Sequence, residues 1–448
     1  MNIVQFIWHD LGDNLSCYGK PEIPSPRLQA FADEGVVFEN NFCTSPQCSP
    51  ARGSIMTGRY PHSNGLMGLT HRGWSYGAGE RDVPMILNDA GFNTVLIGHQ
   101  HERKKDELTY THHDTSVTRN HEVADKACAF FESDAVKAQP FYANVGFTDV
   151  HRNFGLEYDE EVLAKVKVPG FLPDLPVVRK DLATFYDDIR VADGAVGRVL
   201  DAIKASGLED DTLVIFTTDH GMAFPRAKMS CYDPGIHTTL VMRLPGVIDA
   251  GMRVEHLVSH VDLLPTLLDA IGVAIPENVQ GRSFWPLLIG ESYEPRTEII
   301  ADVTWHGGQY DPTRCMRTER YKYIHNFAPG RPILIQGPAG QRYGAEIIDE
   351  YFSARRPEHE LYDLETDPDE QRNLAGDAET TEILADLQQR LRKILRETND
   401  PLLEGDIPSP PGEGDYDSYW HTRRGAEFHY RCDKDFGEYP FPEESRGC

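Results

Sequence analysis

Four apolar runs in this chain end abruptly in acids and histidines, and that pattern restricts the fold more than any other feature. Ile3 to Trp8 is almost continuously apolar and stops at His9-Asp10-Leu11-Gly12. Asn93 to Gly98 is followed by His99-Gln100-His101, Phe141 to Phe147 by Thr148-Asp149-Val150-His151-Arg152, and Thr212 to Thr218 by Asp219-His220-Gly221. Short runs with little polar alternation are buried on both faces, as parallel strands are. Helical patterns lie around them, over Ser25 to Glu34, Val83 to Ala90 and Glu122 to Glu132. From Asp181 to Ser206, Leu182, Phe185, Ile189, Ala192, Val196, Val199, Leu200 and Ile203 keep helical spacing, and Gly207 can cap the end. Alternating strand and helix predicts an α/β fold, a mostly parallel sheet between helices. Ligands of such sheets gather beyond the carboxyl ends of the strands, so the polar strand ends are the candidate site.

The segment Thr44 to Arg59 contributes a nucleophile candidate. Pro50 suits the first turn of a helix and Gly58 its left-handed cap, which puts Cys48 at a helix N-terminus. Unpaired N–H groups and the helix dipole favour an anion there, and Arg52 is four residues on. A plain buried thiol is the alternative for Cys48. The glycine-rich loop Asn64 to Trp74, with His71 in it, has the character of loops that touch substrate near a nucleophile.

A chain of 448 residues exceeds one ordinary hydrophobic core, so a large domain with a smaller companion is expected. The net charge of −27 argues against nucleic acid as a partner and requires that any attraction for an anion be local, through Arg52, Lys228 or a metal. No run approaches the ~20 apolar residues of a membrane span, and no basic leader precedes Ile3, so a cytoplasmic location is expected. Eight irregularly spaced cysteines do not suggest a disulfide framework. Beyond Ile299 the runs become short and strand-like, over Thr313 to Thr318, Tyr321 to His325 and Glu360 to Leu364. A helix with Ile383, Leu384, Leu387, Leu391, Ile394 and Leu395 on one face follows. After Asn399, Tyr416, Tyr419, Trp420, Phe428, Tyr430 and Phe436 point to an ordered arm packed on the body or on a neighbouring copy, a route to a homo-oligomer.

The order Cys48-x-Pro50-x-Arg52, followed by Thr57-Gly58-Arg59, resembles the signature of the formylglycine-dependent sulfatases of the alkaline phosphatase superfamily. Further likeness lies in Ser259 to Asp269, expected as one helix, in Gly281 to Leu288, and in Glu360 to Leu364 with Asp367-Pro368 and Asn373-Leu374. The resemblance implies an alkaline-phosphatase-like catalytic domain over 1–298, a C-terminal α+β subdomain with a small antiparallel sheet and helix over 299–399, and the arm over 400–448. It also implies oxidation of Cys48 to formylglycine by a formylglycine-generating enzyme. Within the family the likeness is to the sulfamidases, which cleave N-sulfated glucosamine, through Cys48-Ser49-Pro50, Asn64-Gly65, Asp149-Val150-His151-Arg152 and Phe224-Pro225. A small anionic sulfated substrate, an amino sugar in that case, is the implied partner.

In the family an Asp-Asp pair and a later Asp-Asn pair hold one divalent metal, calcium, next to the modified cysteine. Asp10 and Asp219 match, whereas His9 and His220 replace the first Asp and the Asn. Imidazole suits Mn²⁺ or Zn²⁺ better than Ca²⁺. The implied metal set is His9, Asp10, Cys48, Asp219 and His220. His101 falls on the histidine that deprotonates the covalent intermediate, and His99 where a lysine normally holds the sulfate. His151 and Lys228 fall beside the leaving group, with Arg52 and the metal activating the aldehyde hydrate. A second hydroxyl on that hydrate is what lets sulfate be expelled, which plain cysteine or serine lacks. Asp-His at the later pair also occurs in phosphonate monoester hydrolases, so a phosphonate monoester or phosphodiester hydrolase is an alternative. A non-catalytic binder of sulfated glycans is a second.

Overall fold

The computed structural model describes residues 1–154 and 158–411. Strands β1 (Asn2–Trp8), β2 (Val36–Phe42), β3 (Asn93–Gly98), β4 (His112–Asp114), β5 (Phe141–Gly146), β6 (Thr212–Thr218), β7 (Leu240–Arg243) and β8 (Met252–Ser259) form one sheet in the order β4-β3-β5-β1-β6-β7-β2-β8. The five strands from β4 to β6 are parallel, β7 runs against both its neighbours, and β2 and β8 are again parallel. β1 explains why these strands are apolar throughout. Val4, Phe6 and Trp8 enter one core with Val196 and Val199 of the helix Pro176–Ala205. Ile3 and Ile7 enter the core on the opposite face, with Ile55, Met56, Leu264 and Leu267. The two-residue period of a strand thus feeds two helical layers.

A second sheet in the order β12-β11-β10-β9 is antiparallel: β9 (Glu298–His306), β10 (Gln309–Thr318), β11 (Tyr321–Asn326) and β12 (His359–Asp363). The helix Thr381–Glu397 lays Leu387, Leu391 and Leu395, one turn apart, on Ile300, Met316, Tyr323 and Leu361 of that sheet. β9 also braces the segment before Cys48. Ser45 Oγ donates to the Asp302 carbonyl at 2.7 Å, and Asp302 N–H donates to the Thr44 carbonyl at 2.8 Å.

Ser259 to Asp269 is not one helix. Ser259 pairs with Phe42 as the last residue of β8, a turn over His260–Asp262 follows, and the helix occupies Leu263–Ala270. The Ser259 and Asp262 side chains reciprocally cap this junction, so the backbone groups that a longer helix would pair are already satisfied. β2, β4, β7, β8 and β9, and the first part of β10, add to the elements expected from sequence. Of the arm expected over 400–448, residues 400–411 are described, with Leu402 and Ile407 packed on Trp305 and Tyr310; its aromatics from Tyr416 on, and the copy-to-copy contact expected of them, lie outside the described residues. Among the described residues, Cys17, Cys43, Cys48, Cys128, Cys231 and Cys315 are free thiols, and no helix is long and apolar enough to cross a membrane.

His260 has no exposed surface, and its Nε2 lies 3.2 Å from Thr238 Oγ1. Burial first, and then its neighbours His220 and Arg52, push its pKa from 6.5 down to about 3. The unfolded chain therefore binds a proton that the native state refuses, and this contribution to stability is full above 6.5 and is lost as pH falls towards 3. Between neutral pH and about pH 5 the loss from this group is about 2 kcal/mol. Denaturant unfolding of His260→Gln, which keeps an amide for Thr238, should show a shallower acid dependence by that amount.

Candidate active site

The helix that carries Cys48 forms as its residues dictate. Gln47, extended at φ −141°, leads into Cys48–Thr57, Pro50 sits in the first turn, and Gly58 closes the helix at φ 65°. Gly53 faces Leu66 and Tyr76 so closely that an added Cβ would lie 3.0 Å from Leu66 Cδ2. All ten helical residues are buried, and Cys48 is 3% exposed. Burial pushes the Cys48 thiol up to about 12, although Lys228 and Arg52 pull the other way. As a thiol it stays protonated at neutral pH.

The ends of β1 and β6 meet this helix end. Asp10 has φ 55°, a left-handed conformation uncommon outside glycine, and its N–H donates to Asp219 Oδ1 at 3.0 Å. Both carboxylates are fully buried. Lys228 Nζ donates to both oxygens of Asp10 at 2.8 Å, and Arg52 Nε donates to Asp219 Oδ2 at 3.0 Å. Burial alone would raise Asp10, but Lys228 and the surrounding histidines hold its carboxyl well below the usual carboxylate range. Burial would likewise lower Lys228, yet Asp10 raises it, so Lys228 is protonated. His220 Nε2 lies 3.4 Å from Cys48 Sγ, 3.2 Å from Asp10 Oδ1 and 3.6 Å from Asp219 Oδ1. Its Nδ1 donates to the Gly221 carbonyl at 2.9 Å, which leaves the Nε2 lone pair facing the carboxylates. One ligand atom from each of His9, Asp10, Cys48, Asp219 and His220 falls within 4.8 Å of the others, so the metal set expected from sequence converges. Two wholly buried carboxylates and an imidazole lone pair fit a divalent cation.

The remaining histidines form one wall. His9 packs on His151 with ring centroids 4.5 Å apart and on His99 at 5.0 Å, and His101 stacks on His71 at 5.1 Å. His151 Nε2 lies 3.9 Å from Asp10 Oδ2. Burial, then Lys228, lowers His151 to about 4. Burial also holds His9, His99 and His101 well below 6.5, so these rings are neutral. The structure therefore brings together Cys48, Arg52, His71, His99, His101, His151 and Lys228 with the metal set.

Two features escaped the sequence reading. His306, buried at the end of β9, is held down by burial and by its neighbours Lys228, His220 and His71. A histidine followed by Gly307-Gly308 at a strand end was the available signal. Arg152, beside His151, donates from Nη1 and Nη2 to Asp181 at 2.9 and 2.7 Å, and Tyr343 Oη donates to the same carboxylate at 3.0 Å. No spacing announces that network.

Residues 1–273 match the family model described as Sulfatase, and residues 220–331 one described as N-sulphoglucosamine sulphohydrolase, C-terminal. The chain belongs to the sulfatase family and is an enzyme that hydrolyses sulfate esters or sulfamates. More particularly, it is similar to the N-sulphoglucosamine sulphohydrolase of Homo sapiens, with 30% identity over 89% of this chain and 91% of that protein. It is also 27% identical to an ulvan-active sulfatase of Formosa agariphila, over 89% of this chain and 75% of the relative. The fold matches that of the phosphonate monoester hydrolase of Silicibacter pomeroyi, with a TM-score of 0.70, 20% identity, and coverage of 90% of this chain and 96% of the other. The family uses a metal ion and a formylglycine.

Proposed function

We propose that this enzyme hydrolyses the sulfamate of an N-sulfated amino sugar, with the oxidised side chain of Cys48 as nucleophile and a divalent cation beside it. The observation that carries the reading is the convergence of Cys48, His220, Asp10 and Asp219 at one buried point. The likeness to an N-sulphoglucosamine sulphohydrolase along nearly the whole chain supports the amino sugar. A thiol with a pKa near 12 is a poor nucleophile, so conversion of Cys48 to formylglycine fits its environment.

Asp10, Asp219 and His220 would hold the cation, which when bound acts as a Lewis acid and favours the ionised form of the attacking hydroxyl. Arg52 fixes Asp219 from the nucleophile helix and keeps that carboxylate turned inward. Lys228 carries the proton that a departing amine or alkoxide needs, whereas neutral His151 accepts a hydrogen bond at Nε2. His71 orients His101 through a 2.9 Å contact between His71 Nδ1 and His101 Nε2. His99 and His71 line the approach of the anion.

The test is mass spectrometry of the Cys48 peptide, from a host with a formylglycine-generating enzyme, joined to rates on N-sulfoglucosamine, an aryl sulfate and a phosphonate monoester. Formylglycine with a preference for the sulfamate is the expected result. His220 in the metal set favours phosphonate monoester hydrolysis as the second reading, and rates dominated by the phosphonate would replace the first with it. Activity should vanish with a chelator and return with Mn²⁺ or Zn²⁺ more fully than with Ca²⁺, because His220 contributes nitrogen. Full hydrolytic activity with an unmodified thiol would overturn the nucleophile assignment.

A further inference from the structure

The histidine wall has a polarity of its own. Carboxylates accept hydrogen bonds, so His9 Nδ1, 2.8 Å from Asp10 Oδ1 and 3.0 Å from Asp219 Oδ2, carries the hydrogen. His9 Nε2 is left with the lone pair, on the side away from both carboxylates. His99 Nε2 and His101 Nδ1 are buried without a hydrogen-bond partner. A ring nitrogen from each of His9, His99 and His101 lies within 4.8 Å of the other two, and the ring centroids are 5.0, 5.9 and 6.4 Å apart. Buried polar atoms left unpaired cost stability, and two of them on rings of one three-histidine cluster mark a position suited to a ligand.

We propose that His9, His99 and His101 hold a second divalent cation, of the zinc type that imidazole nitrogen favours, beside the carboxylate site. The proposal rests on reading Asp10, Asp219 and His220 as the first cation's ligands. It assigns His9 to the second cation through Nε2, while His9 Nδ1–H donates to the carboxylates of the first. His71 is the positioning residue: bonded to His101 Nε2, it leaves Nδ1 as the free ligand atom of His101. The charge of the pocket agrees. Lys228 and Arg52 are both paired with carboxylates, so a cation on the three imidazoles gives an anionic substrate a counter-charge on the histidine side. A chain of net charge −27 needs such a local source.

The test is a cation count by equilibrium dialysis of the metal-stripped full-length protein against Zn²⁺, and separately against Co²⁺. Wild type should bind two equivalents at the centre, and His99→Ala and His101→Ala should each lose one. His325, Glu358 and His359 form another cluster, at the β11–β12 pairing, so His325→Ala/His359→Ala serves as the control that keeps both. One equivalent in wild type overturns the proposal, as does a second equivalent lost from the control and kept in His99→Ala. If the histidine variants do not fold, the wild-type Co²⁺ spectrum decides. A second equivalent with the intense bands of a four-coordinate nitrogen site supports the assignment, and only the weak bands of six-coordinate oxygen ligation overturn it. A cation count is independent of the Cys48 mass and of the product formed, so failure here is distinct from failure of the sulfamate reading.

Discussion

Replacing Cys48 with alanine should lower kcat on the order of 10⁴- to 10⁶-fold, the scale on which an enzyme loses its nucleophile. The fold should survive, because one sulfur at a helix end costs about 1 kcal/mol and the preceding segment stays bound to β9. Cys48→Ser separates nucleophile from electrostatics. A serine hydroxyl at the same helix end faces the same carboxylates and histidine, so it can attack sulfur once. It has no second hydroxyl with which to expel the sulfo group. The expected record is a single turnover, with release of one equivalent of amine and a protein heavier by one sulfo group. Sustained turnover by either variant would remove Cys48 from the mechanism.

The second large effect is structural in origin and catalytic in consequence. Asp181, on the helix Pro176–Ala205, is fully buried and receives Arg152, Tyr343 and Arg342, the last from Nε at 3.0 Å. The Arg152 guanidinium lies 4.4 Å from the Phe154 ring and 4.8 Å from that of Phe224, and Arg152 Nε donates to the Ala223 carbonyl at 2.9 Å. Asp181→Ala strands that charge in an apolar setting, which costs about 3–5 kcal/mol when one partner of a buried pair is removed. Arg152 is joined to His151 and, through Ala223, to the segment leading to Lys228, so kcat should fall by about 10²-fold as these groups shift. Denaturant midpoints and steady-state rates measure the two losses. Asp181→Asn retains hydrogen-bond acceptance and should recover part of each. Wild-type kinetics in a destabilised Asp181→Ala would show that the network braces the fold without positioning His151.

The strand ends were legible because burial on both faces forces continuous apolar runs, and a run broken by His9-Asp10 or Asp219-His220 announces itself. β8 was not, since it lies at the sheet edge: Arg253 and Glu255 are exposed while Val254 and Leu257 are buried. β7 has only four residues, too few for a periodic signal. The likeness of Cys48 to Arg59 to a known signature supplied roles that residue chemistry alone does not. What no single stretch carries is pairing. Lys228 with Asp10, Arg52 with Asp219 and Arg152 with Asp181 join residues far apart in the chain, and the tautomer of His9 follows from Asp10 and Asp219. The substitutions of His for Asp, Lys and Asn at positions 9, 99 and 220 were visible, but their common consequence, a wall of uncharged imidazoles, depends on burial.

The enclosure of the Cys48 helix also dictates a sequence of events in the making of the protein. Cys48 is 3% exposed and every residue from Cys48 to Thr57 is covered, which leaves a macromolecular modifying enzyme no stretch of backbone around Cys48 to bind in the folded state. On the proposed mechanism, the unfolded chain should therefore be a better substrate for oxidation of Cys48 than the folded one. The formylglycine content of Cys48 should then set the specific activity of a preparation, and refolding unmodified protein should not raise it.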